Sequence, residues 1–91
     1  MLEEILFEDD KLGHCRVSIN YDNFEFLYNC LRSDGFLEEK RDFGEIKYIL
    51  IRKSPRTFII YDVNTFILES NYKMLDGDKI VRKIKFKQLT S

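Results

Sequence analysis

The sequence predicts an α+β fold: an antiparallel β-sheet of four to six strands with one main α-helix, at about residues 22–34, packed on it. Two patterns predict this class. One segment with helical spacing of its apolar residues lies between a capping residue and a glycine. Short apolar runs with a period near two follow it. The length of 91 residues suits one small domain, residues 1–91, with one hydrophobic core.

Specific residues mark both ends of the predicted helix. Asp22 can serve as the N-cap, and Glu25 three residues later gives a capping-box arrangement with Asp in place of Ser or Thr. Gly35 suits the left-handed position that follows the end of a helix. Leu31 and Phe36 then occupy the two positions of the apolar contact in a Schellman motif, so we expect the helix to end there.

The apolar arc of this helix is wide, because its apolar side chains cover roughly 200° of the helical wheel. A helix that lies on one sheet needs a stripe nearer ~100°. The margins of the arc, at Phe26, Tyr28 and Cys30, are therefore predicted to bind something else. The N-terminal strands, a second copy of the chain or a foreign partner could cover them. Since two-fold dimers are the commonest assembly, we expect a homodimer with Phe26 near the contact.

Four other segments are predicted to be strands. Residues 48–51 and 58–61 are apolar on both faces, which is typical of central strands. Pro55 between them suits the second position of a hairpin turn. Residues 5–7 and 15–19 form two earlier strands, which gives the order of two strands, a helix and an antiparallel meander.

Residues 64–75 are ambiguous in the sequence. Their apolar run at 66–68 favours a strand that pairs with the preceding one through a turn at 62–65. The alternative is a second helix, capped at Asn64 and closed at Gly77.

Residues 79–89 alternate between apolar and basic side chains. This pattern predicts a one-sided strand with a solvated row formed by Lys83, Lys85 and Lys87. The Asp-Gly pair at residues 76–77 is a hairpin signal directly before it.

Acidic and basic residues are divided between the two halves of the chain. Residues 1–45 hold twelve acids and five bases, whereas residues 46–91 hold four acids and ten bases, although the formal net charge is only −1. A long field of one sign steers partners, so the division predicts a binding role. Glu38 and Glu39 are candidates for an acidic patch that docks on a basic protein surface.

The basic half supports an alternative function, a nucleic-acid-binding regulator that uses the C-terminal strand. Its candidate phosphate contacts are Arg52, Lys53, Arg56, Lys83, Lys85 and Lys87. The chain is not basic overall and has none of the recognition signatures of common nucleic-acid-binding domains. Lysines on an edge strand also have a purely structural use, since they prevent pairing between sheets.

The candidate catalytic groups are few. His14 and Cys15 are neighbours on a predicted strand, so their side chains point to opposite faces and cannot easily form a nucleophile–base pair. With Cys30 they are the only histidine and cysteines, and none of them has the paired spacing of a zinc site. The sequence therefore predicts no catalytic residue, no metal and no cofactor.

These observations predict a small, non-enzymatic, cytoplasmic protein-interaction module. An inhibitor or immunity-type protein of a phage or other mobile element fits the small size and the polarised charge. It also fits the lack of Ala together with abundant Ile, Lys and Phe, which is typical of AT-rich coding. Two cysteines are too few for a disulfide scaffold, so we expect free, buried thiols, with one disulfide as the alternative. No apolar run approaches the ~18 residues of a membrane span, and no membrane partner is predicted.

Overall fold

The computed structural model describes residues 4–9, 11, 13–43, 47–73, 75 and 77–90. Within them, six strands form one antiparallel sheet and two helices pack against it. The elements are β1 (Glu4–Asp9), β2 (His14–Ser18), α1 (Tyr21–Arg32), β3 (Leu37–Phe43), β4 (Lys47–Ser54), β5 (Thr57–Asp62), β6 (Ile67–Ser70) and α2 (Gly77–Thr90). The predicted α+β class and antiparallel sheet are confirmed.

The strand order across the sheet is β1-β2-β6-β5-β4-β3. Helix α1 carries the chain from β2 to the far edge of the sheet, and β3 to β6 then return as a meander. The last strand of the meander pairs with β2, from Cys15 opposite Ser70 to Ser18 opposite Ile67. The predicted order of elements is confirmed up to this strand, and the strand alternative for residues 64–75 is correct.

The N-cap of α1 lies two residues earlier than the predicted cap at Asp22. Asn20 is the N-cap, because its side-chain oxygen accepts a hydrogen bond from the backbone N–H of Asn23 at 2.8 Å. The predicted capping box of Asp22 and Glu25 is therefore wrong. Asp22 lies in the first turn instead, where its negative charge suits the helix dipole.

The C-terminal end of α1 has the predicted Schellman motif. Gly35 has a φ of +97°, and its N–H donates to the Arg32 carbonyl at 3.1 Å. The N–H of Phe36 donates to the Leu31 carbonyl at 3.2 Å. Both Leu31 and Phe36 are buried, so the turn that ends the helix also adds an aromatic ring to the core.

The predicted C-terminal strand is wrong, because residues 77–90 form helix α2. Ile80 and Ile84, one helical turn apart, are both fully buried, whereas Lys83 and Lys85 are exposed. The predicted Asp-Gly hairpin is also wrong. The N–H of Gly77 opens the helix by donating to the Glu8 carboxylate at 2.8 Å, which places a negative charge at the helix N-terminus.

The core lies between the two helices and one face of the sheet. Its centre is an aromatic stack of Phe24 from α1 and Tyr61 from β5, with ring centroids 4.3 Å apart. Tyr61 is fully buried, and its hydroxyl donates to the Ile19 carbonyl at 2.8 Å. The polar end of this ring is therefore satisfied inside the core.

Alkaline pH should destabilise the fold through Tyr61. Burial, and then the nearby negative charge of Asp62, raise the pKa of the Tyr61 hydroxyl well above its ordinary value. The folded state keeps a proton that the unfolded chain releases above about pH 10. The stabilising contribution of Tyr61 is thus complete below that pH and is lost as pH rises. We expect the free energy of unfolding in urea to fall above about pH 10.

The variant Tyr61→Phe separates this effect from the titration of other groups. At neutral pH it should lose about 1 kcal/mol through the missing hydrogen bond. Above about pH 10 its stability should fall less steeply than that of the wild type. Tyr48→Phe, on the opposite face of the sheet, is the matched control for the removal of a tyrosine hydroxyl at neutral pH. Parallel curves for wild type and Tyr61→Phe would contradict the assignment.

Candidate functional site

Both described helices pack on the same face of the sheet, and we call the other face the open face. Residues alternate along each strand, so one set points to the helices and is fully buried, as Ile49, Ile51 and Ile59 are. The other set is only partly buried although much of it is apolar. Its partly buried apolar members are Tyr48 and Leu50 on β4, Phe58 and Ile60 on β5, and Ile67 on β6, and Leu37 on β3 is exposed on the same face. An uncovered apolar patch of this kind is typical of an interaction surface.

The register of the strands brings these apolar side chains together. Leu50 lies opposite Ile60, and Tyr48 lies opposite Asp62. Asp62 in turn lies opposite Ile67. Side chains directly opposite each other on one face of a sheet are in contact range. They line a shallow cavity of about 580 Å³, which runs across four strands from β4 to β2.

Two ion pairs flank the apolar centre of the open face. On the β2–β6 side, Arg16 and Glu69 are 3.1 Å apart, with about half of each side chain exposed. On the β3–β4 side, Arg52 pairs with Glu39 and also lies over the Phe58 ring, at 5.5 Å from its centroid. An apolar centre with a polar rim is the usual composition of a protein-binding surface.

The predicted margin of α1 is not an uncovered surface. Tyr28 is buried, and its hydroxyl accepts a hydrogen bond from the Glu38 N–H at 2.9 Å. Phe26 and Cys30 are half-buried, and α2 packs against α1, β1 and β2. The wide apolar arc of α1 thus packs partly against α2, which the sequence interpretation had predicted to be a strand of the sheet. Of the two free thiols, Cys15 is buried as expected, whereas Cys30 is only partly so.

Glu38 and Glu39 are exposed on β3, at the edge of the sheet. Glu39 belongs to the rim of the open face through its pair with Arg52. Of the predicted partner-binding residues, the structure therefore connects Glu39 to the open face. Tyr28 does not belong to an exposed surface; its buried side chain forms a hydrogen bond with the backbone of β3.

The structure separates the predicted nucleic-acid contacts into two groups. Arg52, Lys53 and Arg56 lie at the β4–β5 hairpin, whereas Lys83 and Lys85 lie on α2. Lys87 is also within α2, but its side chain lies outside the described residues. In the first group Arg52 is in an ion pair, and the ammonium group of Lys53 donates to the Tyr72 hydroxyl at 3.2 Å. No single basic strand brings the six residues together.

The candidate catalytic and metal-binding side chains are also not brought together in the described part of the structure. His14 is exposed, but Cys15 is buried and its thiol points to the Leu75 carbonyl at 3.8 Å. Among the described residues, no group of three or more His, Cys, Asp or Glu side chains is placed to hold a metal ion. In the same part of the chain, neither helix has the length and apolar character needed to cross a membrane.

The fold and the open face define the class as a two-layer α+β protein with one uncovered sheet face. Comparison with family models, curated proteins and solved structures finds no match for this chain. Its function is therefore argued from the open face. The sequence interpretation did not select Leu50, Ile60 and Ile67, although the signal was present in strands that are apolar on both sides.

Proposed function

We propose that this protein is a small, non-enzymatic interaction module that binds a protein partner through the open face. The observation that carries the proposal is the partly exposed apolar centre at Leu50, Ile60 and Ile67, with its cavity and its charged rim. Burying such side chains contributes about 25 cal/mol for each Å² of apolar surface removed from water. The partly exposed apolar side chains and the charged rim of this face therefore support binding.

An inhibitor or immunity-type role is the finer form of this proposal. An open face whose cavity crosses several strands suits a module that covers part of a partner's surface. The cytoplasmic location that we propose fits its two free cysteines, since reducing compartments keep thiols unpaired. The nucleic-acid alternative has less support, because its cations lie in two separate groups.

Site-specific photo-crosslinking in the cells that express the protein tests the open face. A benzophenone amino acid is introduced at Leu50 or Ile67, and the matched control position is Phe86, an apolar residue on α2 that is 66% exposed. We expect one defined foreign protein to be crosslinked from positions 50 and 67 but not from 86. Leu50→Asp should abolish the adduct formed from position 67, because a carboxylate at the centre of the contact is costly to bury.

The opposite pattern would contradict the proposal. Crosslinks from position 86, with none from positions 50 and 67, would place the binding surface on the helical side of the molecule. Crosslinks to nucleic acid from position 86 would favour the regulator alternative, since Lys83 and Lys85 lie on the same helix.

A further inference from the structure

The open face has dimensions that can be compared with those of known interfaces. Six strands at a spacing of ~4.8 Å give a width of ~29 Å, and about five residues along each strand give a length of ~17 Å. The product is roughly 490 Å² on each copy, or ~1,000 Å² when two such faces meet, before the relief of the side chains is counted. This area reaches the lower limit for a specific protein–protein interface.

The charges on the open face suit a partner with the same charge distribution. On each side of the apolar centre a cation and an anion form an ion pair, Arg16 with Glu69 and Arg52 with Glu39. A rim of this composition does not repel its own copy, whereas a rim of one sign would. The carboxylate of Asp62, near the centre, accepts hydrogen bonds from the N–H groups of its own turn at residues 64 and 65.

The net charge of the whole chain also permits two copies to associate. A formal net charge of −1 produces little long-range repulsion between two copies. A strongly charged partner, in contrast, would gain little attraction from a rim whose charges are already paired.

From the area of the open face, its paired rim charges and the low net charge, we propose that a second copy of the chain covers this face in the free protein. The two sheets pack face to face about a two-fold axis, with Leu50, Ile60 and Ile67 of each copy at the centre. The arrangement is that of a β-sandwich with a helical layer on each outer side. This inference rests on the proposed function, because a foreign partner would have to displace the second copy from the same face.

The homodimer predicted from the sequence is thus retained, but its contact moves from Phe26 on α1 to the open face. Because the area lies at the lower limit for specific interfaces, we expect a dissociation constant on the order of micromolar. The mass of the wild type in sedimentation and light scattering should rise with concentration to twice that of one chain.

Four variants locate the contact. Leu50→Asp and Ile67→Lys place charges at its centre, so each should stay monomeric at high micromolar concentration while keeping the wild-type circular dichroism spectrum. Phe86→Asp places the same carboxylate on an exposed apolar position of α2 and should dimerise like the wild type. Phe26→Glu tests the position predicted from the sequence and should not release monomers from an otherwise folded protein.

Each other outcome overturns the inference. A wild type that is monomeric at high micromolar concentration removes the dimer. A dimer that survives both open-face variants but dissociates in Phe86→Asp or Phe26→Glu has its contact elsewhere. If both open-face variants unfold, then these side chains belong to the core of one chain and the face is not open.

The two proposals can fail separately. A monomeric wild type that still crosslinks to a foreign protein from position 50 refutes the dimer and leaves the interaction module standing. A dimer whose position 50 crosslinks only to another copy supports self-association and refutes the inhibitor role.

Discussion

Replacing Phe24 by alanine should lower the free energy of unfolding by about 3–5 kcal/mol. Phe24 is fully buried, and its ring stacks on Tyr61 with centroids 4.3 Å apart and on Tyr28 with centroids 6.4 Å apart. The variant loses the transfer free energy of the ring and leaves a cavity between α1 and β5. Since small domains are stable by only about 5–15 kcal/mol, a large part of the total is removed.

Urea denaturation followed by circular dichroism measures this loss, and Phe86→Ala is its control. The control deletes the same ring from a position that is 66% exposed on α2, so its effect should lie within about 0.5 kcal/mol of zero. If the two variants were equally destabilised, Phe24 would not have the central place in the core that the structure gives it.

Introducing proline at Lys83 should cost about 3 kcal/mol, because this position lies in the middle of helix α2. Proline removes the backbone hydrogen bond of that turn, and its ring clashes with the preceding turn. The side chain of Lys83 is exposed, so the cost comes from the backbone rather than from lost packing. Urea denaturation gives the loss, and far-ultraviolet circular dichroism shows whether helix content falls with it.

Lys83→Ala tests the same helix with a substitution that should not destabilise it. Alanine has the highest helix propensity, so the variant should be as stable as the wild type or slightly more stable. In a strand the same change would be unfavourable, since alanine is depleted from strands. A clear loss of stability in Lys83→Ala would therefore favour the strand that the sequence predicted.

The sequence predicted those elements whose signals are local. The end of α1 followed from Gly35 and Phe36, which form the Schellman motif, and the β4–β5 turn followed from Pro55. The start of α1 was missed because two residues could cap it. Asn20 and Asp22 are both good N-caps, and only the hydrogen bond from Asn23 decides between them.

Helix α2 was missed because its pattern also satisfies a strand. The alternation of lysines with Ile84 and Phe86 has a period of two, as a half-buried strand would. Among the described side chains of this run, Ile80 and Ile84, spaced by four, are buried, whereas Phe86 is exposed. A single exposed aromatic residue in a short segment was enough to change the apparent period.

The open face was missed for a different reason. Apolar residues on both sides of β4 and β5 were interpreted as evidence for central strands, and both strands do lie inside the sheet. The helices cover only the side of Ile49 and Ile59, which leaves Leu50 and Ile60 partly exposed. Periodicity reports that a side chain is apolar, but it does not report which neighbour covers it.

The acidic residues of the first half have a consequence for how sheets of this protein can meet. Strands β1 and β3 are the two edges of the sheet. The first carries three acids and no base, and the second carries three acids and two bases among its seven residues. Edge strands present unpaired backbone groups, on which another chain could add a strand and start a growing ribbon. When two β1 edges approach each other, acids face acids, so growth of a continuous sheet through this edge is opposed.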